Sequence, residues 1–367
     1  MKEGWKYKNL GDVIDITMGQ SPSSDTYNES EGLPFFQGNA DFGKMHPNVR
    51  VYCNAPIRIA DKKDILISVR APIGAINIAD RKCCIGRGLA ALRGSNKYEN
   101  RFLYYFLNAS KEKLIAQGTG STFKSIGKDT LKSLQVPVLT ISEQERIVAE
   151  LDLLSGIIAK QKAQLKELDI LAQSIFYDMF GNPVENEKGW ETKQLSSVST
   201  LINGRAYSQN ELLDEGKYKI LRVGNFFTNS NYYYSNLELE DDKYCNTGDL
   251  LFAWSASFGA FIWDGGKVIY HYHIWKVLYD KDVLDIQYYR FLLNTMTTFF
   301  MKDVHGIGMV HLTKAGMEQY LLPIPPLALQ KSFADRIAAI EMQKNSINQS
   351  IAESQKLFDY TMDKYFS

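Results

Sequence analysis

Gly19-Gln20-Ser21-Pro22 and Gly204-Arg205-Ala206-Tyr207 lie 185 positions apart, and each sits where the chain is expected to turn. Nearly the same offset relates Gln37-Gly38-Asn39 to Val223-Gly224-Asn225, and Arg70-Ala71-Pro72-Ile73-Gly74 to Ser255-Ala256-Ser257-Phe258-Gly259. The frames are kept and the polar contents change. Arg, Gln, Asn and Ser carry the donors and acceptors that match base edges in the major groove of DNA. Candidate contacts of this kind in the first set are Gln20, Ser21, Gln37, Asn39 and Arg70. Arg87, between Gly86 and Gly88, joins them, as do Thr119, Ser121 and Lys124 around Gly118-Thr119-Gly120. In the second set they are Arg205, Tyr207, Arg222, Asn225, Ser255, Ser257 and His273, with Met309 and His311 around Gly306-Ile307-Gly308. Loops also diverge by drift, and Arg70 has an acidic neighbour, Asp64, with which it can pair. The residue types therefore leave a structural role equally open for any one of them.

Catalysis needs a constellation that this chain lacks. It has no G-x-x-x-x-G-K-S/T phosphate loop, no G-x-S-x-G elbow and no H-E-x-x-H metal helix. Asp/Asn/Ser-Pro-Pro-Tyr/Phe, with which methyltransferases acting on exocyclic amines hold a flipped base, is missing as well. Glu191-x-Lys193 has no acidic partner at a preceding Pro-Asp turn, so a nuclease reading fails. His271-x-His273, His305 and His311 lack cysteine or carboxylate at ligand spacing. The cysteines, Cys53, Cys83, Cys84 and Cys245, form no C-x-x-C pair and read as buried thiols. No catalytic residue, metal or cofactor is expected on this chain. Its 42 Lys+Arg are matched by 42 Asp+Glu, without the basic excess of a protein that grips phosphate alone. That balance fits a reader of base edges helped by partners, and equally a coiled-coil scaffold that binds only proteins. No stretch approaches the roughly 18 apolar residues of a membrane span, and Met1-Lys2-Glu3-Gly4-Trp5 begins no export segment, so a cytoplasmic location without membrane contact is expected.

The elements that must hold those turns recur in the same order. Gly4-Trp5, Leu10 and Val13 return as Gly189-Trp190, Leu195 and Val198, and Asp64-Ile65-Leu66-Ile67 returns as Asp249-Leu250-Leu251-Phe252. A repeat this long is a duplicated domain, since solenoid units run roughly 20 to 50 residues. Strands are predicted at 63–69 and 73–78 in one copy and at 218–223, 250–253 and 268–278 in the other, with helices at 99–116 and 285–302. Each copy ends in a tail whose seam is spaced by alternating fours and threes. One seam is Ile147, Leu151, Leu154, Ile158, Gln161, Leu165, Leu168, Ala172, Ile175 and Met179. The other is Phe333, Ile337, Ile340, Lys344, Ile347, Ile351, Ser354, Phe358, Thr361 and Tyr365. This is coiled-coil periodicity. Ser142-x-x-Glu145 reads as the capping box of the first tail and Gly181-Asn182-Pro183 as its stop. The expected fold class is α+β: two similar mixed α/β domains, 1–142 and 183–326, separated by two long helices, 143–182 and 327–367. The helices pair as an antiparallel coiled coil about a pseudo-twofold axis. Such a helix spans about 57 Å, while major-groove half-sites repeat every ~34 Å.

Taken together, these residues resemble the specificity subunit of type I restriction-modification systems, over essentially the whole chain. The resemblance rests on the two Gly-Trp openings with Leu-x-x-Val and Gly downstream, on Gly38-Asn39 and Gly224-Asn225, and on the Asp-Ile-Leu and Asp-Leu-Leu strands. It rests also on Glu143-Gln144-Glu145-Arg146-Ile147 after a proline, and on Ser174-Ile175-Phe176-Tyr177-Asp178-Met179-Phe180-Gly181. Leu329-Gln330-Lys331 departs from the pattern by lacking Glu before Gln. The resemblance implies two target-recognition domains, each reading half of a split site in double-stranded DNA, with the paired helices as the ruler between them. It implies two methyltransferase subunits as partners, held through Glu143, Gln144, Arg146, Phe176, Phe180, Gln330 and Phe358. It implies two motor-nuclease subunits where restriction accompanies methylation. S-adenosylmethionine, ATP and magnesium are then expected on those partners only. A stand-alone DNA methyltransferase or nuclease is the enzyme alternative, disfavoured by the absent motifs.

Overall fold

The structure, a computed structural model, describes residues 4–95, 98–120, 124–255, 257–301 and 312–366. Ser121, His305, Met309, His311 and the 306–308 loop lie outside the described residues. Two units divide the chain, Met1–Lys162 with Gln349–Ser367, and Ala163–Asn348, so the division runs through both long helices.

In the first unit, strand Ile65–Ser68 is an apolar run because both of its faces are covered. Ile65 and Ile67 join Ala90, Leu92, Phe102, Phe106 and Leu107, while Leu66 turns toward Phe36, Ile85, Leu89 and Ala91. A strand with solvent on neither face has no reason to alternate. It pairs antiparallel with Leu89–Arg93 and Ile76–Ile78, and Asp15–Met18 adds to the far edge of Leu89–Arg93. In a second sheet Leu33–Phe36 runs parallel to Cys83–Ile85. The helix predicted over 99–116 breaks at Ser110 into Asn100–Ala109 and Lys111–Ala116. Ser110 Oγ donates back to the Phe106 carbonyl at 2.9 Å, a bond that bends helices by competing for their ladder.

The second unit repeats this plan. Ser199–Asn203, Ile274–Tyr279, Leu250–Ala253 and Gly259–Ile262 form its antiparallel sheet in the corresponding order, and Tyr218–Leu221 runs parallel to Val268–Tyr270. The strand predicted over 268–278 is thus two strands, with His271-Tyr272-His273 carrying the chain from one sheet to the other. Backbone bonds fix the register of the duplication. Gly19 N donates to Leu89 O and Gly204 N to Ile274 O; Gly86 N donates to Phe36 O and His271 N to Leu221 O. Both glycines are required by close approach: a Cβ on Gly19 would lie 2.1 Å from Gly86 O, and one on Gly204 would lie 2.3 Å from Tyr270 O. In this register Gln37 corresponds to Arg222, one position from the sequence match to Val223. The Gly-Asn pairs are displaced because the side chain holding the loop is Asp41 in one copy, four residues on, and Asn225 in the other, three residues on.

The long helices are Ile141–Phe180 and Leu327–Phe366. Every predicted seam position is buried or half-buried. Within the first unit, Glu150 accepts from Tyr365 Oη at 2.7 Å and Gln161 Nε2 donates to Ser350 Oγ at 2.7 Å, so the segments run antiparallel. Within the second, Asp169 pairs with Lys344 at 2.9 Å and Phe176 stacks edge-on against Phe333, again antiparallel. The first helix begins two residues before the predicted start. Glu143 Oε2 accepts from Thr140 N at 2.8 Å, and Thr140 Oγ1 accepts from Glu143 N at 3.3 Å, so Thr140 replaces Ser142 as the cap. Gly181, at φ +75°, is the left-handed stop. Among the described residues no helix is long and apolar enough to cross a membrane.

Candidate functional site

Gln37, Asn39, Arg70 and Arg87 converge on one cleft of about 370 Å³ in the first unit, together with Asp41 and Arg50. Gln37 leaves the end of Leu33–Phe36, Arg70 follows Ile65–Ser68, and Arg87 tips the turn between Cys83–Ile85 and Leu89–Arg93. The backbones carrying these side chains are tied down. Gly88 N donates to Gln37 O at 3.2 Å, Ser68 Oγ to Arg70 O at 2.8 Å, and Arg87 N to Ser21 Oγ at 3.2 Å. A Cβ on Gly88 would lie 2.4 Å from Gln37 O, so glycine lets the Arg87 turn press against the strand end. The side chains themselves are free of ion pairs: Arg70 and Arg87 are exposed and make none among the described residues. Asp64, the alternative partner for Arg70, is buried and takes two bonds of 2.8 and 2.7 Å from Arg93 instead. Asp41 is engaged by the loop, accepting from Gln37 N at 2.7 Å and pairing with Arg50 at 2.5 Å. Two guanidinium forks are therefore left to face the cleft. Gln20 lies outside the lining, and Ser21 meets it only by accepting from Arg87 N. Thr119 and Lys124 are exposed on the strip that bridges to Arg70 through Ser125.

At the equivalent place the second unit has a cleft of about 520 Å³, lined by Arg222, Asn225, Ser255, His271 and His273 with Thr228 and Asn231. By the backbone register Arg222 replaces Gln37, Ser255 replaces Arg70, and His271-Tyr272-His273 replaces Gly86-Arg87-Gly88. Arg222 is restrained, its guanidinium 4.3 Å from the Tyr233 ring and Nη2 donating to Asn231 O at 3.0 Å. Asn225 corrects the sequence reading. It is buried, its Oδ1 accepting from Arg222 N at 2.8 Å and its Nδ2 donating to Ser230 O at 2.7 Å, so the loop uses both ends of the amide and none remains for a base. Ser255 is also buried, with its hydroxyl unpartnered among the described residues. Burial, with His273 and Arg222 nearby, pushes the His271 imidazole down to about 4. It is neutral at pH 7, and its Nδ1 accepts from His273 N at 3.4 Å, which leaves the proton on Nε2. Trp254 stands edge-on to His273 with ring centres 5.2 Å apart. Ser257 is half-buried beside this wall, its N donating to Ser255 O at 2.8 Å.

Arg205 and Tyr207 are not brought to this cleft. Arg205 pairs with Glu211 at 2.7 Å and lies 5.3 Å from the Tyr207 ring, and that bond, with donors from Ser208, holds the Glu211 carboxyl down at about 2. Tyr207 packs against an apolar cluster that includes Tyr244 and Ile269. Sequence reasoning missed Arg50, Asp41, Thr228 and Asn231, and weighed His271 only as a metal ligand. The available signal was Asp41 itself, an acidic residue in a Gly-Asn turn of the kind that binds its own backbone. Among the described residues no group of three His, Cys, Asp or Glu could hold a metal ion.

The surface expected to hold partners also needs correction. Gln144 and Gln330 are fully buried, and a side chain without accessible surface cannot touch a second chain. They do the same internal work in the two copies. Gln144 Oε1 accepts from Glu99 N at 2.9 Å and Nε2 donates to Leu139 O at 3.0 Å. Gln330 Oε1 accepts from Asp285 N at 2.8 Å and Nε2 donates to Val283 O and Pro325 O at 2.9 and 2.8 Å. Glu99 and Asp285 are the caps of Asn100–Ala109 and Ile286–Phe300, so each glutamine clamps the start of a domain helix to the start of a long helix. Phe176 and Phe180 are buried against Tyr288 and Phe333, and Phe358 is half-buried near Tyr105. Glu143 and Arg146 remain on the surface, Glu143 capping its helix and Arg146 lying 5.8 Å from the Tyr365 ring.

Comparison with known proteins gives a family match in both halves. The type I restriction modification DNA specificity domain matches residues 2–168 and again 187–354. A protein of Methanocaldococcus jannaschii named as the specificity subunit of type I restriction enzyme MjaX is 42% identical over 171 residues, which cover 46% of this chain and 40% of that protein. The MjaIX specificity subunit of the same organism is 25% identical over 247 residues, covering 60% of this chain and 57% of its own. The chain thus spans about half the length of these relatives. The S subunit of a type I restriction-modification system from M. genitalium superposes over 100% of this chain and 98% of its own, with TM-score 0.57 and 14% identity, a likeness of fold.

Proposed function

Because this chain belongs to the type I restriction modification DNA specificity family, matched in both of its halves, we propose that it is the DNA-reading, non-catalytic subunit of a type I restriction-modification complex. Each domain reads one half of a split site with its cleft, and the long helices set the spacer. Two methyltransferase subunits carry S-adenosylmethionine and modify adenine. Two motor-nuclease subunits, using ATP and magnesium, add cleavage, and the complex works in the cytoplasm. One observation carries this reading. The two clefts are built on the same backbone bonds, shifted by a constant offset, and lined by different polar side chains, as two independent readers require.

The test combines the purified chain with its methyltransferase partner on a random DNA library and sequences the modified adenines. A split motif is expected, with turnover only when both proteins are present. Unselective methylation, or turnover by the chain alone, would overturn the proposal. Four residues inserted after Gln161 add about 6 Å of helix and should lengthen the spacer while leaving both half-sites unchanged.

A further inference from the structure

The first cleft holds two arginines whose backbones are pinned and whose side chains make no ion pair among the described residues. The turns that carry the forks are fixed in place, and among the described residues no ion pair has to break before a fork closes on a ligand. Guanine is the base that presents two acceptors, N7 and O6, on one major-groove edge, and a guanidinium fork matches that pair. The second cleft differs in kind. Its arginine is held over Tyr233 and by Asn231, its turn carries His271 and His273, and the position of Arg70 is taken by Ser255, which is fully buried.

Resting on the proposed function above, we infer that the half-site of the first domain carries guanine, read on N7 and O6 by Arg70 and Arg87. The half-site of the second domain is read by the neutral donor of His271, while Ser255, fully buried, leaves the place of Arg70 without a fork. Arg50 stays with Asp41 and supplies field without a base contact. The edge that meets these two forks must present acceptors, and replacing its guanine by adenine puts an N6 donor against a guanidinium donor.

The experiment uses the full chain assembled with its methyltransferase partner. Split-site duplexes drawn from the sequenced motif are compared for wild type, Arg70→Ala, Arg87→Ala and His271→Gln at several salt concentrations. Either arginine variant should lose about ten- to hundredfold preference at a guanine of one half-site, and His271→Gln should alter only the other half-site. Replacing that guanine by 7-deazaguanine removes N7 without any change to the protein. It should weaken wild type, and the matching arginine variant should lose nothing further. A first half-site without a G·C pair, or wild type indifferent to 7-deazaguanine, would overturn the inference. So would arginine variants that weaken every sequence alike and lower the salt slope by about one, as a lost phosphate contact does. Absence of any split motif would instead overturn the functional reading on which the inference rests.

Discussion

The two clefts share a skeleton and almost nothing else. Backbone bonds at positions 19, 86, 204 and 271 correspond one for one, yet the lining changes from Gln37, Arg70 and Arg87 to Arg222, Ser255, His271 and His273. Positions whose main chain closes the frame are held by sterics, as at Gly19 and Gly204. Positions whose side chains enter the cleft are limited only by space and charge. The first cleft leaves two guanidinium groups unmatched, and the second neutralises its imidazole by burial. A chain with zero net charge thus places two unmatched guanidinium groups in one reader and a single one, held over Tyr233, in the other.

The largest effects should come from the shared skeleton and be equal in both copies. Gly19→Ala and Gly204→Ala each push a Cβ to within 2.3 Å or less of a carbonyl oxygen, at a cost of about 3 kcal/mol. Denaturant unfolding of each variant checks this, and a difference of more than ~1 kcal/mol between the two would break the equivalence. Next come the glutamine clamps. Gln144→Met and Gln330→Met strand buried backbone groups and should cost about 2 kcal/mol each, whereas residues that served partners would leave the free chain's stability unchanged. The loop holders should differ modestly. Asn225→Ala is expected to cost about 2 kcal/mol because both ends of its amide are bonded in a buried site, and Asp41→Ala about 1 kcal/mol.

The remaining effect is one of pH, and it belongs to the second unit alone. His271 ordinarily titrates at 6.5 and is pushed down to about 4, so between those values the unfolded chain binds more protons than the folded one. Its contribution is full above about pH 6.5 and is lost as pH falls toward 4, while Gly86 gives the first unit no counterpart. Melting temperature should therefore fall less steeply between pH 7 and 5 in His271→Gln than in wild type. Parallel curves would mean that the imidazole is not buried as described.

Features set by local periodicity were legible in the sequence. The duplication, the heptad seam and the central strands follow from spacing that needs no knowledge of the rest of the chain. The capping box was misplaced because Thr140-x-x-Glu143 and Ser142-x-x-Glu145 satisfy the same local pattern. The choice between them is made by the ladder of Tyr7–Asn9 with Gln135–Pro137, which continues to Val138 N on Lys6 O at 2.8 Å and fixes where extended chain ends. The family resemblance puts Gln144 and Gln330 on a partner surface, but a shared motif carries no information on burial. Their burial depends on a domain helix that starts 45 residues earlier in the chain. The candidate readers divide likewise. Arg70 and Arg87 were identifiable from their turns, while the loss of Arg205 to Glu211, and the arrival of Arg50, depend on how loops fold back.

The first unit is not continuous along the chain, and this makes the closing of its core depend on the last turns of the second long helix. Its helix Asn100–Ala109 packs Phe102 against Phe366, and Tyr365 caps the same wall by bonding Glu150. All of Ala163–Asn348 is therefore synthesised between the first domain and the turns that cover it. The second unit has all of its core without those turns, whereas the first without them keeps an aromatic wall open to solvent. A released chain truncated after Asn348 should carry one protease-resistant unit, the second, and one that chaperones still engage, the first.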